Sequence, residues 1–330
     1  MPARHHAFYG GIARRTLTPA LAAGAMLAFA GLGAAAQTYG IATMQPGTLN
    51  HTTGSAIAKV LKEKGNLNVL VQPTAGETTL IPMVGRGEAE LGIANIHEVL
   101  KVTRGQGAGQ QPDLRLIGTI HALRVAFFVR KDSAMKTMAD LRGKKVTTGY
   151  SAMRTIDPLI RAILVTGGLT EKDIVPVPVP NVIRGADEFL SGGTDMFFFA
   201  FGAAKVREVD ATVGGIRALQ VPAAGMPAAS KIVPYGYLTK GTPGPFFVGV
   251  AEPTDIYTYD NMLFTHAKVK DEIVYKMIET LENNKADLVA VQPALREFSA
   301  ANLHKQYDIP YHPGAAKYFK DKNLAAQAIK

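Results

Sequence analysis

The feature that most constrains the fold is an alternation of strand-like and helical patterns near the start of the chain. Three short apolar runs alternate with two helical patterns, in the order Tyr39–Met44, Ser55–Lys64, Asn66–Gln72, Glu77–Arg86 and Ala89–Ala94. This alternation predicts parallel strands joined by right-handed crossovers. Loops that follow parallel strands share one edge of the sheet, so we expect the loops of Gly47, Gly76 and Asn95 to converge.

A second α/β unit is predicted further along the chain. Leu114–Ile120 and Leu123–Arg130 each have a strand pattern, and we place the first crossing between two lobes at the second of these runs. Asp195–Ala200 is apolar on both faces and predicts a buried parallel strand. We place the return crossing near Tyr235–Pro245, and Phe246–Val250 is expected to be a strand that rejoins the first lobe.

The first 36 residues have the pattern of a secretory signal peptide. Arginines 4, 14 and 15 precede the uncharged run Leu17–Leu32, and Ala34-Ala35-Ala36 offers a cleavage site. We expect export to the periplasm with cleavage after Ala36, by either the general or the twin-arginine route; a retained membrane anchor is the alternative. The predicted domains are the signal peptide (1–36), a discontinuous lobe I (37–123 and 240–330) and lobe II (124–239).

Composition excludes several classes of protein and of site. The chain has no cysteine, so it can hold neither a disulfide nor a thiolate metal site. Its net charge of +9 falls to +6 when the three arginines of the signal are removed. The basic residues form no stripe interleaved with aromatic residues, so we expect no nucleic-acid partner.

Motifs of catalysis are missing from the sequence. We find no G-x-S-x-G elbow, no H-E-x-x-H pattern and no P-loop. The histidines outside the signal are scattered singly, without metal-ligand spacing. The sequence therefore predicts a monomeric binding protein without enzymatic activity, metal or cofactor.

Several segments together resemble the TAXI family of solute-binding proteins, which serve TRAP-type transporters. The resemblance covers nearly all of the chain after residue 38. It rests on the order and spacing of these segments more than on any single one. The segments are the opening strand, glycine turn and helix, Val71-Gln72-Pro73-Thr74-Ala75-Gly76, Gly85–Asn95, Leu114–Arg130, Met138–Gly149, Thr194–Gly202 and Tyr311–Phe319. It implies a two-lobed α/β periplasmic-binding-protein fold, each lobe a mainly parallel sheet flanked by helices, with the ligand cleft between the lobes.

Three helix N-termini are expected to face this cleft, near Thr52, Gly76 and Thr155. Free N–H groups and the helix dipole favour an anion at each, although Thr155 is also an ordinary capping residue. The family's cargo is mostly carboxylates, so both observations predict a small organic acid. The candidate ligand-binding residues are Gly47, Thr48, Asn50, His51, Thr74, Gly76, Glu77, Asn95, Arg124, Tyr150, Ser151, Arg154, Thr155, Phe199 and Gly202.

Four of these candidates bear on the ligand's charge. Arg154 could clamp a carboxylate bidentately or be a solvated residue of the first helical turn, and Arg124 could do the same or be an exposed hinge residue. Glu77 could simply complement its helix dipole. If it points inward, it repels an anion and favours an ammonium. His51 could make affinity depend on pH.

The sequence as a whole predicts a periplasmic receptor that delivers a carboxylate or amino acid, such as glutamate or a dicarboxylate, to the membrane subunits of a TRAP-type transporter. The alternative is the binding protein of an ABC importer for an aromatic or sulfonated compound. An enzyme on the same two-lobed frame is the remaining possibility.

Overall fold

The computed structural model describes residues 37–106 and 109–329. The predicted signal peptide, residues 1–36, lies outside this part of the chain. Within the described residues, no helix combines the length and the apolar composition that a membrane crossing requires.

The described chain alternates ten strands with eleven α-helices. The strands are β1 (Thr38–Thr43), β2 (Asn68–Pro73), β3 (Leu91–Asn95), β4 (Leu114–Arg130), β5 (Lys145–Thr148), β6 (Val175–Pro178), β7 (Phe197–Ala200), β8 (Ile216–Ala218), β9 (Tyr237–Gly241) and β10 (Thr254–His266). The helices are α1 (Leu49–Gly65), α2 (Glu77–Gly85), α3 (Ile96–Thr103), α4 (Ile156–Thr166), α5 (Val182–Leu190), α6 (Ala204–Thr212), α7 (Met226–Ile232), α8 (Asp271–Asn283), α9 (Lys285–Val291), α10 (Ala300–Leu303) and α11 (Pro313–Asp321).

The strands and helices predicted between Tyr39 and Ala94 form in the predicted order, except that the first helix begins six residues earlier. Thr48 is the N-cap, and its Oγ1 accepts a hydrogen bond of 3.2 Å from the backbone N–H of His51. Asn50 and His51 therefore belong to the first turn of α1 rather than to a loop. The helix ends at Asn66, whose left-handed conformation (φ 50°) is a common way for helices to terminate.

A mixed sheet joins the two lobes. Its main order is β2-β1-β3-β10-β4-β7, with β9 beside β10 and β8 beside β4. β1 pairs in parallel with β2 and β3, whereas β10 is antiparallel to both β3 and β4. β5 and β6 form a separate parallel pair. The two-lobed α/β fold that the sequence predicts is confirmed, but the large sheet is mixed rather than mainly parallel.

Three strand predictions need correction. Leu114–Ile120 and Leu123–Arg130 are one continuous strand, β4. The strand predicted at Asp195–Ala200, β7, runs antiparallel to β4, because apolar residues on both faces indicate burial but not direction. Phe246–Val250 is a series of turns, and Gly249 accepts a hydrogen bond of 2.9 Å from the backbone N–H of Ala218 in β8.

Apolar packing fixes each lobe on the shared strands. In the first lobe, α1 and α8 pack Ile57 and Met277 into one buried cluster on a face of the sheet. In the second lobe, Phe128 of β4 stacks on Phe197 of β7 with ring centroids 5.1 Å apart. A stacked pair of this kind adds roughly 0.5–1.5 kcal/mol to the gain from area burial.

The close approach of β3 and β10 yields a first prediction. Gly92 faces Phe264 across this pair, and a Cβ on Gly92 would lie 2.4 Å from Cζ of the buried ring. We expect Gly92→Ala to lower the free energy of unfolding by about 1–3 kcal/mol, the usual cost of overpacking. Denaturant unfolding measures this change.

Gly185→Ala is the matched control. A Cβ at Gly185, inside α5, would make only ordinary contacts of 3.5 Å or more. Alanine is the better helix former, so this variant should be as stable as the wild type or more stable. Equal losses in the two variants would contradict the overpacking argument.

Candidate ligand-binding site

A small cavity lies between the two lobes. It has a volume of about 40 Å³ and is lined by Met44, Thr48, Leu49, Asn50, Glu77, Asn95, Leu123, Val125, Met153, Ile156, Val182, Phe198, Phe199, Ala200 and Tyr259. A cavity that holds benzene has about 150 Å³, so this space admits no more than a few water molecules. The lobes must move apart to admit an organic ligand.

The shared strands and the helix starts position these side chains. Successive residues of a strand point to opposite faces, so Leu123 and Val125 face the cavity while Arg124 between them does not. Tyr259 lies opposite Leu123 on β10. The N-terminal ends of α1 and α2 in the first lobe, and of α4 in the second, complete the wall.

Glu77 is the acidic side chain of this wall. It is 1% exposed, and its Oε1 accepts a hydrogen bond of 3.1 Å from Asn95 Nδ2. Its Oε2 is buried and has no hydrogen-bond partner. Burial, with the neighbouring Glu98 carboxyl, raises the pKa of Glu77 to about 8. The Glu77 side chain is therefore mostly an uncharged carboxylic acid at pH 7.

Glu98 is a second buried carboxyl near the first, in the first turn of α3. It is 2% exposed, and burial raises the pKa of this carboxyl despite hydrogen bonds from Thr155 and the charges of Lys101 and Arg154. Its Oε2 also has no hydrogen-bond partner. Glu77 thus lines the cavity, and Glu98 lies close enough to act on it without being part of the cavity wall.

Asn95 contacts the Glu77 carboxyl and the backbone of Glu98, and it bridges the lobes. Its Oδ1 caps α3 by accepting from the backbone N–H of Glu98 at 3.0 Å, and its Nδ2 lies 3.3 Å from Oγ1 of Thr155. Backbone hydrogen bonds near the cavity also cross between the lobes. Lys205 N–H donates to Gly47 at 3.1 Å, and Thr78 N–H donates to Ala152 at 3.2 Å. These contacts hold the lobes together around the cavity.

Among the fifteen residues predicted to bind ligand, five line the cavity. They are Thr48, Asn50, Glu77, Asn95 and Phe199. Asn50 Nδ2 has no hydrogen-bond partner, whereas its Oδ1 accepts from Asn261 at 2.8 Å. The convergence of the loops after β1, β2 and β3 therefore brings together part of the predicted set.

Other predicted residues contact the opposite lobe or form hydrogen bonds next to the cavity without lining it. Gly47 accepts the interlobe hydrogen bond described above, and a Cβ on Gly76 would lie 2.2 Å from the carbonyl oxygen of Ala152. Thr155 stands at the start of α4 and contacts Asn95. Thr74 donates to the carbonyl of Thr43 at 3.0 Å.

The remaining polar, aromatic and glycine predictions point elsewhere. The His51 ring lies 3.3 Å from Thr43 Oγ1, and burial lowers the pKa of this histidine. Tyr150 is buried in the second lobe and donates to Thr147 at 2.6 Å. Ser151 is exposed, and Gly202 packs against the ring of Phe246.

Neither predicted arginine lines the cavity. Arg124 lies on the opposite face of β4, where it donates to Glu297 Oε1 at 2.5 Å. Burial raises the pKa of Glu297, but the hydrogen bond and charge of Arg124 outweigh it and leave that pKa below its usual value. The Arg154 side chain is exposed to solvent. Neither arginine therefore contacts the cavity in this arrangement of the lobes, and the clamp across the cleft stays a prediction.

The sequence reasoning missed residues that face the cavity from the shared strands, notably Leu123, Val125 and Tyr259. It also missed Glu98, although Asn95-Ile96-His97-Glu98 has the spacing of a helix cap followed by an acidic residue. Phe198, which is not among the predicted ligand-binding residues, also lines the cavity. In the part of the chain that the structure describes, no three His, Asp or Glu side chains are grouped so as to hold a metal ion.

The positions of the arginines predict different effects on stability. Arg124→Ala removes the partner of Glu297, a half-buried carboxylate, so we expect a loss of about 1–3 kcal/mol in the free energy of unfolding. Arg154→Ala changes an exposed residue and should stay within roughly 0.5 kcal/mol of the wild type. Urea unfolding compares the two, and equal effects would contradict this assignment.

The pKa of Glu77 predicts how stability depends on pH. A carboxyl with a pKa of about 8 in the folded chain and about 4.5 when unfolded keeps its proton better in the folded state. Its stabilising contribution is complete below about pH 4.5 and declines as the pH rises toward 8, by up to about 1.4 kcal/mol per pH unit. Glu77→Gln removes this contribution.

Denaturant unfolding of wild type and Glu77→Gln from pH 5 to 8 isolates the effect, since other titrating groups are common to both proteins. We expect the wild type to lose stability relative to the variant as the pH rises. Parallel pH profiles would contradict the raised pKa.

Comparison with known proteins agrees with the fold and gives the family. One solved structure, described as a periplasmic transporter, is 12% identical with a TM-score of 0.56, over 88% of this chain and 94% of that chain. A protein from Bordetella bronchiseptica RB50 is 13% identical with a TM-score of 0.50, over 87% and 98%. A putative sulfonate ABC transporter protein, the periplasmic sulfonate-binding protein SsuA from Methylobacillus flagellatus KT, is 15% identical with a TM-score of 0.44, over 89% of each chain. The sequence pattern of the NMT1-like family matches residues 41–322, and the chain belongs to that family.

Proposed function

We propose that this protein is a periplasmic solute receptor that binds a small molecule between its lobes and delivers it to a membrane transporter. One observation carries the proposal: a cavity walled by both lobes and lined by Glu77 and Asn50, each of which has a buried polar atom without a partner. Buried polar groups are nearly always hydrogen-bonded, so a bound molecule would satisfy these atoms. Opening and closing of the lobes about the shared strands would admit the ligand and bury it.

The cavity supports an apolar or aromatic compound better than a dicarboxylate. Its wall is formed mainly by aliphatic, methionine and aromatic side chains, and no lysine or arginine of the described residues belongs to it. Recognition of a small diacid needs cationic or N–H donors for each carboxylate. The apolar part of an aromatic ligand therefore fits this wall better than a dicarboxylate does. This favours the alternative drawn from the sequence, a receptor for an aromatic or sulfonated compound.

We propose an ABC importer as the partner of this receptor, with a TRAP-type transporter of the TAXI class as the second candidate on the sequence resemblance. Genes adjacent to the coding sequence distinguish the two, since an ABC importer requires an ATPase and a TRAP-type transporter requires a large ion-coupled permease. The proposal includes export by a cleaved signal peptide, lobe boundaries at residues 123/124 and 239/240, a monomeric state and release of the ligand without covalent change.

A thermal-shift screen of the purified protein tests the receptor function. The library contains aromatic acids, sulfonates, amines, amino acids, dicarboxylates and sugars. A ligand at one hundred times its dissociation constant stabilises the folded state by about 2.7 kcal/mol, which raises the melting temperature by several degrees. Mass spectrometry of the recovered ligand should show it unchanged.

Ala200→Leu tests whether binding occurs in the cavity. Ala200 lines the wall, so a larger side chain there should reduce or abolish the ligand-induced shift. Ala139→Leu makes the same change at an exposed position and should respond like the wild type. An undiminished shift in Ala200→Leu would place the ligand elsewhere and overturn the proposed site.

A further inference from the structure

We propose that the cavity binds the ammonium group of an amine with an apolar body, and that Glu77 is its counter-ion. This inference rests on the proposed receptor function and specifies the ligand's polar group. Four features of the site support it: an unpartnered carboxyl oxygen, a balance of charge without cations, aromatic rings in the wall, and helix termini that already hold acidic groups.

The unpartnered oxygen gives the position of the ligand's polar group. Glu77 is 99% buried, its Oε1 is held by Asn95, and its Oε2 has no partner within the protein. A carboxylate in an apolar wall needs a positive partner with hydrogen-bond donors, and an ammonium offers three. The free oxygen can accept one of them without any rearrangement of Asn95.

The balance of charge around Glu77 is negative. From α3, Glu98 acts on it as a like charge, and from β10 it faces the hydroxyl-bearing ring of Tyr259. Lys101 and Arg154 act on Glu98 but do not line the cavity. His97, next to Glu98, is uncharged, because burial lowers its pKa to about 3. A ligand carboxylate would add a third acidic group to this environment.

The aromatic rings of the wall suit a cation as well as an apolar body. Phe198, Phe199 and Tyr259 line the same cavity as Glu77. The faces of such rings attract ammonium groups, by about 0.5–1 kcal/mol at exposed sites and more when water is excluded. The same rings provide apolar contact area for the rest of the molecule.

The helix N-termini are poor sites for an external anion, because the protein's own groups use them. Thr48 Oγ1 and Asn95 Oδ1 accept first-turn N–H groups of α1 and α3. Glu77 and Glu98 are the acidic residues in the first turns of α2 and α3. Side-chain caps and acidic residues of the protein therefore already occupy the N-terminal turns of these helices.

Binding of an ammonium requires the Glu77 carboxyl to lose its proton. The carboxylic acid becomes a carboxylate paired with the ammonium, and one proton passes to the solvent. Because the pKa of Glu77 is about 8 beforehand, the affinity for an amine should increase about tenfold for each pH unit between pH 6 and 7. Close to one proton should be released for each amine bound at pH 7.

Isothermal titration of the full protein with matched probes tests this inference. The probes are 2-phenylethylamine, 2-phenylethanol and phenylacetate, together with n-butylamine, 1-butanol and butyrate. Titrations at pH 6, 7 and 8, in two buffers of different ionisation enthalpy, count the protons released. We expect each amine to bind at least tenfold more tightly at pH 7 than the alcohol and acid of the same body.

Two variants separate the role of Glu77 from structural effects. Glu77→Gln imitates the protonated acid, so the variant should fold. We expect its amine affinity to fall at least tenfold and its proton release to disappear. Its affinity for the alcohols should stay within threefold of the wild type. Glu98→Gln removes the like-charged neighbour and should keep amine binding while its pH dependence moves to lower pH.

The amine inference is overturned if an acid binds most tightly, if amines bind without proton release, or if no amine binds. Should alcohols or acids bind to the wild type but not to Ala200→Leu, the receptor function stands and only the amine inference fails. If neither these probes nor the wider library shift the melting temperature, both fail.

Discussion

The antiparallel pairing of β4 with β10 is the interaction on which the rest of the molecule depends. The two strands pair from Leu114/His266 to Val125/Tyr257, with register shifts on the way. β10 continues the first-lobe sheet through β3, and the far end of β4 carries β7 and β8 of the second lobe. Both lobes therefore share one hydrogen-bonded ladder, and motion between them must bend or twist these two strands.

The alternation of side chains along this ladder separates two different environments. On the front face, Leu123, Val125 and Tyr259 form part of the apolar wall between the lobes. On the rear face, Arg124 binds Glu297, while Asp260 pairs with Lys305 and accepts hydrogen bonds from Tyr307 at 2.8 Å and Tyr237 at 3.0 Å. The rear network ties the shared strands to the C-terminal segment.

Two carboxyl groups give the cleft its distinctive chemistry. Glu77 and Glu98 each follow a helix cap, where acidic residues commonly compensate a helix dipole in solvent. Here both side chains are buried, and burial outweighs the dipole, which raises both pKa values. A cation that enters the cleft would replace the lost solvation of Glu77.

The sequence by itself determined the local elements and the class of fold. Apolar periodicity and glycine turns predicted β1, β2, β3 and most later elements, and the order of strands and helices predicted convergent loops at one sheet edge, where Thr48, Glu77 and Asn95 do meet. These features depend on residues that are close together in the sequence, so a single sequence is enough to predict them. The family resemblance supplied the two-lobed arrangement that local patterns alone do not specify.

Only the tertiary structure decided the direction of β7, the face on which Arg124 lies, and the inward position of Glu77. Burial on both faces is the same for parallel and antiparallel strands. A shift of one residue in the pairing register moves a side chain from the front of a sheet to its back. Such a shift in β4 would put Arg124 on the cavity face and Leu123 on the rear face. The pKa of Glu77 depends on its burial and on the carboxyl of Glu98, which tertiary packing brings near it.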